Sequence, residues 1–200
     1  MSLAAAGILF ALYPLLRPWH DESAVAGATA SMSSPAWVAS HFFAMLGFVL
    51  VPLGLLAVRG ALADTRPGSL AQTATVVAWA GAGLTLPYYG AEDFGLHAIA
   101  SQHANNLLSL IQAVRYQPLA ITMFGAGLVL LAIGSVLAAV AIWRSRVLPR
   151  YGGVVFAVGF VLFLPQFFLP PPARIAHGLV LAAGLAVLAA SLWRARTRAA

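Results

Sequence analysis

The chain has 200 residues, of which 62% are hydrophobic and only 8% are charged, and its mean hydropathy is +0.91. This composition excludes an ordinary soluble domain and is typical of a polytopic membrane protein. The formal net charge is +6, every basic residue is an arginine, and there is no cysteine. Without lysine or cysteine, the chain can form no Schiff base, disulfide, thiolate nucleophile or cysteine-ligated cluster. The arginines lie in short loops and at the C-terminus, which indicates membrane topology and not nucleic-acid binding.

Six segments are long and apolar enough to be predicted as membrane spans. In chain order they cover residues 1–16, 35–58, 70–86, 118–143, 151–169 and 173–193. The first lacks a positively charged start and ends in RPWH (17–20) instead of a small-residue cleavage site, so we interpret it as a helix and not as a signal peptide. The sequence therefore predicts an all-α, polytopic transmembrane helical bundle that forms a single domain over residues 1–200.

The stretch 88–115 gathers most of the polar side chains of an otherwise apolar chain. Read as a helix, it places a polar residue on the same face every four positions. The residues of this polar stripe are Asp93, His97, Ser101, Asn105 and Ser109, with Gln112 closing the line. A polar stripe in a membrane helix is expected to line a cavity, a pathway or a buried network.

The number of spans depends on whether residues 91–115 cross the membrane. A helix over these residues would be about 37 Å long, enough for a hydrocarbon layer of ~30 Å. Tight connections at 87–90 and 116–118 favour seven spans with the N-terminus outside, because a flat helix would force its neighbours apart. Six spans and one interfacial helix are the alternative. Both topologies place the C-terminus in the cytoplasm of a cell whose membrane we expect to be a bacterial inner membrane.

Acids, imidazoles and aromatic rings collect at one end of the predicted bundle, because the first loop and the turn before Asp93 lie on the same side. Such a cluster at the end of an apolar bundle is the default hypothesis for a pocket. The candidate catalytic residues are Glu92, Asp93, His97 and His41. The candidate substrate-binding residues are Trp37, Trp79, Tyr88, Tyr89, Phe94 and Asn105.

These residues also have structural interpretations. Glu92 and Asp93 come in a first helical turn, where carboxylates complement the helix dipole. His41 lies inside a span and needs a hydrogen-bond partner whether or not it is catalytic. His97 follows Asp93 by one helical turn, so a carboxylate–imidazole pair is geometrically natural. The acids of the first loop, 21 and 22, are expected to be solvated.

Several reaction classes have no support in the sequence. The motifs GxSxG, HExxH and DDxxD and the phosphate loop are absent, which argues against ordinary hydrolases, zincins, class I terpene synthases and NTPases. Acid–base chemistry on an apolar substrate remains. A partly buried carboxylic acid beside a second carboxylate keeps its proton near neutral pH and can protonate an alkene or an epoxide. Aromatic faces can stabilise the carbocation that results.

The segments TLPYYGAEDFGLH (85–97) and LRPWHDE (16–22) resemble the small integral-membrane terpene cyclases of the fungal meroterpenoid and bacterial drimentine types, as do the chain length and the bundle of about seven spans. The resemblance implies metal-free cyclisation of a prenyl chain, initiated by a proton from Glu or Asp. The expected function is acid-initiated cyclisation or isomerisation of an isoprenoid-like substrate. Glu92 or Asp93 would be the acid, and His97 or His41 the orienting group or the base. This chemistry needs no cofactor, and the expected partners are a lipophilic small molecule and membrane lipids.

Two other classes of protein stay open. A metal, haem or quinone site can use neutral imidazoles in membrane spans, and the candidate ligands are His41, His97, His103 and His177. A non-enzymatic transporter or assembly subunit can use the polar stripe as a pathway or as a helix contact. The sequence does not predict the oligomeric state.

Overall fold

The computed structural model describes residues 1–102 and 105–199, and all secondary structure in these residues is helical. Two short turns, a π-helical turn Ala91–Gly95 and a 3-10 turn Pro165–Phe168, accompany the α-helices. The α-helices within the described residues are α1 (Ser2–Leu16), α2 (Val25–Met32), α3 (Pro35–Ala61), α4 (Gly68–Gly90), α5 (Leu96–Ser101), α6 (Leu107–Arg115), α7 (Pro118–Ser145), α8 (Arg150–Val161) and α9 (Pro171–Ala199).

Six helices form a closed ring in the order α1, α3, α4, α7, α8 and α9, and α9 packs back on α1. They correspond to the six apolar segments predicted from the sequence. Glycines allow the closest approaches. A Cβ atom on Gly81 would lie 2.7 Å from the carbonyl oxygen of Gly127, so α4 and α7 are in contact through their backbones. Small residues at such crossings are typical of helices that pack in membranes.

The outer surface of the ring is apolar. Three of its helices are long and apolar enough to cross a membrane, over Pro35–Ala61, Pro118–Ser145 and Pro171–Ala195, and α1 and α8 are shorter apolar helices. Large apolar side chains such as Ile8, 62% exposed, and Val76, 60% exposed, point away from the core. An outward-facing apolar surface on a ring of helices fits a lipid environment, as the composition predicts.

Residues 91–115 do not form the single helix that seven spans require. The π-helical turn continues α4, α5 ends at Ser101, and α6 begins only at Leu107. Helix α6 has nine residues, which gives a length of about 14 Å and is far short of the ~30 Å hydrocarbon layer. The seven-span arrangement is therefore not confirmed. His103 lies outside the described residues.

We call α2, the π-helical turn, α5 and α6 the cap, because together they cover one end of the ring. Apolar side chains of the cap and of the first turn of α3 form a separate core. Its buried members are Ala28, Met32, Trp37, Leu96, Ala100, Leu107 and Ile111. The Trp37 indole Nε1 donates a hydrogen bond of 3.0 Å to the Glu92 carbonyl oxygen, which joins α3 to the cap.

The polar stripe predicted on one helix is enclosed only at its start, where Asp93 is buried. Ser101, Asn105, Ser109 and Gln112 are exposed on the cap. The reason is the amphipathic character of α6, which turns Leu107 and Ile111 into the cap core and its polar residues outward. A transport pathway along this stripe therefore has no structural support.

Candidate functional site

A cavity of about 440 Å³ lies between the cap and the adjacent end of the ring. It combines aromatic walls with charged side chains, whereas the hollow beside Trp143 on the outer face of the bundle is lined by apolar residues. The lining residues are Tyr13, Arg17, Glu22, His41, Tyr88, Tyr89, Glu92, Arg115, Tyr116, Ile121, Phe124, Gly125, Leu164, Phe167, Phe168 and Arg174. Four predicted site residues are among them, namely His41, Tyr88, Tyr89 and Glu92.

A chain of ion pairs crosses one wall of the cavity. Arg17 Nη2 donates to Glu22 Oε1 at 2.7 Å, and Arg115 Nη2 donates to Glu22 Oε2 at 2.8 Å. Arg115 Nε also donates to both carboxylate oxygens of Glu92, at 3.0 and 3.1 Å. Both oxygens of Glu92 thus accept charge-assisted hydrogen bonds from Arg115. Glu22 is a partner of two arginines and not the solvated residue expected from the sequence.

His41 is the imidazole of the cavity. It lies in the second turn of α3, is only 2% exposed, and packs against Trp37 with 4.2 Å between the ring centroids. Its Nδ1 donates to the Trp37 carbonyl oxygen at 2.9 Å. That bond fixes the neutral tautomer in which Nε2 carries the lone pair. His41 is also one of the residues that line the cavity.

Asp93 is fully buried, and neither of its carboxylate oxygens has a hydrogen-bond partner among the described residues. It belongs to the cap but does not line the cavity. Burial, with a smaller contribution from the charge of Glu92, raises the pKa of Asp93 from 3.8 to about 7. Asp93 can therefore hold a proton near neutral pH.

The predicted pair between Asp93 and His97 does not form. His97 Nδ1 instead donates to the carbonyl oxygen of Met32 at 2.7 Å, which joins α5 to the last residue of α2. The physical reason is that the His97 ring lies against α2, where Met32 belongs to the cap core, so its Nδ1 bonds to a backbone carbonyl instead of to Asp93. His97 holds the cap together and is not among the residues that line the cavity.

Four of the predicted substrate-binding residues do not line the cavity. Trp37 is completely buried beneath His41. Trp79 and Phe94 are each 54% exposed, and Asn105 is exposed on the cap. Trp79 lies on the outer face of α4 because the small residues of that helix, Ala78 and Ala82 among them, face the neighbouring helices.

The described histidines do not converge on a metal or cofactor. His41, His97 and His177 each bond to a backbone carbonyl, and His177 Nε2 donates to the Gly159 carbonyl oxygen at 2.8 Å. Within residues 1–102 and 105–199, no three His, Asp or Glu side chains are grouped as metal ligands. The proposal of a metal or haem site therefore gains no support from the described residues.

Sequence reasoning missed the arginines and Tyr13. The three arginines at the cap end, Arg17, Arg115 and Arg174, all line the cavity. A signal was present in the sequence, because the six-span alternative places only these arginines on the side opposite the termini. Cations on that side run against the usual charge asymmetry of membrane proteins and therefore indicate a function.

No protein-family model, curated protein or solved structure matches this chain. The resemblance to membrane terpene cyclases stays a prediction. The function is therefore argued from the site alone.

Proposed function

We propose that this chain is an integral membrane enzyme that binds an isoprenoid-like lipophilic molecule in the cap-end cavity and isomerises or cyclises it by proton transfer. The observation that carries the proposal is the meeting of a buried imidazole, carboxylates and aromatic walls in one cavity at the end of an apolar ring. Its volume of about 440 Å³ is in the range of small-molecule sites, which are mostly apolar with a few convergent polar groups.

His41 is the residue that we propose for proton transfer. Its Nε2 is the ring nitrogen left for a ligand, since Nδ1 is bound to the Trp37 carbonyl oxygen. Glu92 is bound to Arg115, so we assign both halves of the transfer to His41: Nε2 takes a proton from one carbon of the ligand and returns it to another carbon as the double bond shifts. Isomerisation with His41 as the base thus has more direct support than protonation by Glu92. Initiation by Asp93 would require its side chain to rotate into the cavity.

A matched pair of histidine variants tests this role. In His41→Asn the amide keeps a donor for the Trp37 carbonyl oxygen but provides no base, so turnover should fall about 10²-fold or more. His20→Asn, at an exposed position outside the cavity, is the control and should keep normal turnover. Products from prenyl alcohols, acids and epoxides are identified by mass spectrometry with the purified protein in detergent. Full turnover by His41→Asn would remove His41 from the mechanism.

We further propose six spans, with both termini in the cytoplasm and the cap outside a bacterial inner membrane. Met1 and Trp193 line the same groove, so both ends of the chain lie at the end of the ring opposite the cap. In this topology most arginines face the cytoplasm, at positions 59, 66, 144, 146, 150, 194, 196 and 198. Fusions of each terminus to alkaline phosphatase and to a green fluorescent protein test it. Phosphatase activity at the N-terminus would contradict six spans.

A further inference from the structure

Arg174 is a cation of the cavity that has no carboxylate partner among the described residues. It lies in the first turn of α9, and its Nε donates to Oε1 of the buried Gln166 at 3.1 Å. Its Cζ atom also lies over the rings of Trp19 and Phe167, 4.8 and 5.2 Å from the centroids. These contacts hold the guanidinium at the cavity wall without neutralising its charge.

The charges that line the cavity do not balance, because three arginines face two glutamates. Both glutamates already have arginine partners, because Arg17 pairs with Glu22 and Arg115 pairs with Glu22 and Glu92. Arg17 adds to the positive potential near Arg174, since its Cζ lies 4.5 Å from the centroid of the same Trp19 ring. The Nε of Arg17 is itself buried without an acceptor among the described residues. A partly buried cation without a counter-ion is unfavourable, and a bound anion removes that penalty.

An aromatic wall leads away from this cationic position. Phe167, which lies against Arg174, has its ring centroid 5.6 Å from that of Phe124. Phe124 in turn stacks on Tyr88 at 4.2 Å. The cavity thus offers positive charge at one position and continuous apolar contact beside it, which fits an amphipathic ligand.

We propose that Arg174, with Arg17 beside it, forms a subsite for the anionic head group of the lipophilic ligand, which is a carboxylate or a phosphate. The proposal rests on the lipophilic ligand of the proposed function and adds that one end of that ligand is negatively charged. A guanidinium suits this role because its paired donors match the oxygens of carboxylates and phosphates. Arg174 binds and orients the ligand, and the proton transfer takes place elsewhere in the cavity.

Isoprenoids that share one chain and differ in the head group test the subsite. Farnesoic acid and farnesyl phosphate are anionic, farnesol is neutral, and inorganic phosphate has no apolar chain. Dissociation constants are measured by isothermal titration calorimetry on the full-length protein in neutral detergent, after subtraction of titrations into empty micelles. Both anionic isoprenoids should bind about tenfold or more tighter than farnesol, because charge-assisted hydrogen bonds are the stronger ones. Inorganic phosphate should bind much more weakly than farnesyl phosphate.

Variants of Arg174 assign the preference to this residue. Arg174→Gln should lose most of the preference for the anion while its affinity for farnesol is unchanged, and Arg174→Lys should keep part of the preference because it keeps the charge. The exposed Arg66 lies at the opposite end of the ring, so Arg66→Gln is the control and should behave like the natural protein. An undiminished preference in Arg174→Gln would assign the anion to another residue and overturn the proposal.

The affinities of the unsubstituted protein for these ligands distinguish failure of the anionic subsite from failure of the proposed function. Equal affinity for farnesoic acid and farnesol overturns the anionic subsite and leaves the lipophilic site in place. Binding of inorganic phosphate as tightly as farnesyl phosphate shows a site for a free anion and also overturns the assignment to a lipophilic head group. If none of the isoprenoids binds, both the subsite and the proposed function are wrong.

Discussion

Arg115 should be the charged residue on which the position of the cap depends most strongly. It extends from the end of α6 to Glu92 in the π-helical turn and to Glu22 in the first loop, and so joins three segments that are far apart in the sequence. The side chains involved are only 12 to 19% exposed, so solvent screens these ion pairs weakly. Substitution of Arg115 by glutamine leaves two carboxylates close together without their shared cation.

The expected cost follows from this geometry. Removal of one partner from a buried ion pair costs about 3 to 5 kcal/mol, and the residual exposure of these side chains lowers the expected cost to about 2 to 3 kcal/mol. For a domain of this size each kcal/mol shifts the Tm by roughly 2 to 4 °C, so Arg115→Gln should lower it by about 4 to 12 °C. Neutralising one carboxylate as well should recover part of the loss. The double variant Arg115→Gln, Glu92→Gln should therefore be more stable than Arg115→Gln alone.

Thermal unfolding in detergent, followed by intrinsic tryptophan fluorescence, measures these differences. Trp37 reports directly on the cap, because its indole bonds to the Glu92 carbonyl oxygen. Arg66→Gln, which removes an exposed arginine, is the control and should change the Tm by less than about 2 °C. A Tm for Arg115→Gln within the range of that control would refute the idea that this network holds the cap. Additive effects in the double variant would refute the coupling between Arg115 and Glu92.

Three further predictions concern burial and packing. The pKa of Asp93 is raised from 3.8 to about 7, so the folded state binds a proton that the unfolded state releases, and the contribution of Asp93 to stability should fall as the pH rises from about 4 to about 7. Asp93→Asn should therefore match the Tm of the natural protein at pH 4 and exceed it at pH 8. A Tm of Asp93→Asn below that of the natural protein at pH 8 would contradict this. A cysteine that replaces the exposed Ser109 should react with a membrane-impermeant maleimide added from the cap side, whereas a cysteine that replaces the lipid-facing Ile8 should not. Failure of the cysteine at position 109 to react would contradict the exposed position of this residue on the cap. Gly127→Ala should cost roughly 1 to 3 kcal/mol because its Cβ would meet α4 at less than 3 Å, whereas Gly125→Ala, which meets nothing within 4 Å, should leave the Tm unchanged.

Composition and apolar segment length were enough to predict the membrane class and the positions of the ring helices. Apolar length is a local property, so the segment predicted at 35–58 appears as Pro35–Ala61 and the one at 118–143 as Pro118–Ser145. The sequence also grouped His41 with the turn 88–92, since both lie next to span ends that share one side in either topology. In the structure they line the same cavity.

Tertiary contacts set the arrangement of α5 and α6, the described helices between residues 96 and 115. The four-residue spacing of polar residues predicted one long helix, but this spacing does not identify the residues that pack against the apolar face. Leu96 and Ile111 are buried against Met32 of α2, and this contact is available only when the segment folds back into α5 and α6. The burial of those side chains outweighs the gain from continuing one helix.

The charged partners were likewise decided by the tertiary structure. Arg115 and Glu22 are separated by 93 positions, and Arg115 and Glu92 by 23. No local pattern links such residues. The same holds for Arg174, whose contact with Trp19 joins the two ends of the chain. Composition and periodicity report what each segment buries, whereas the partner of a charge depends on which segments the fold brings together.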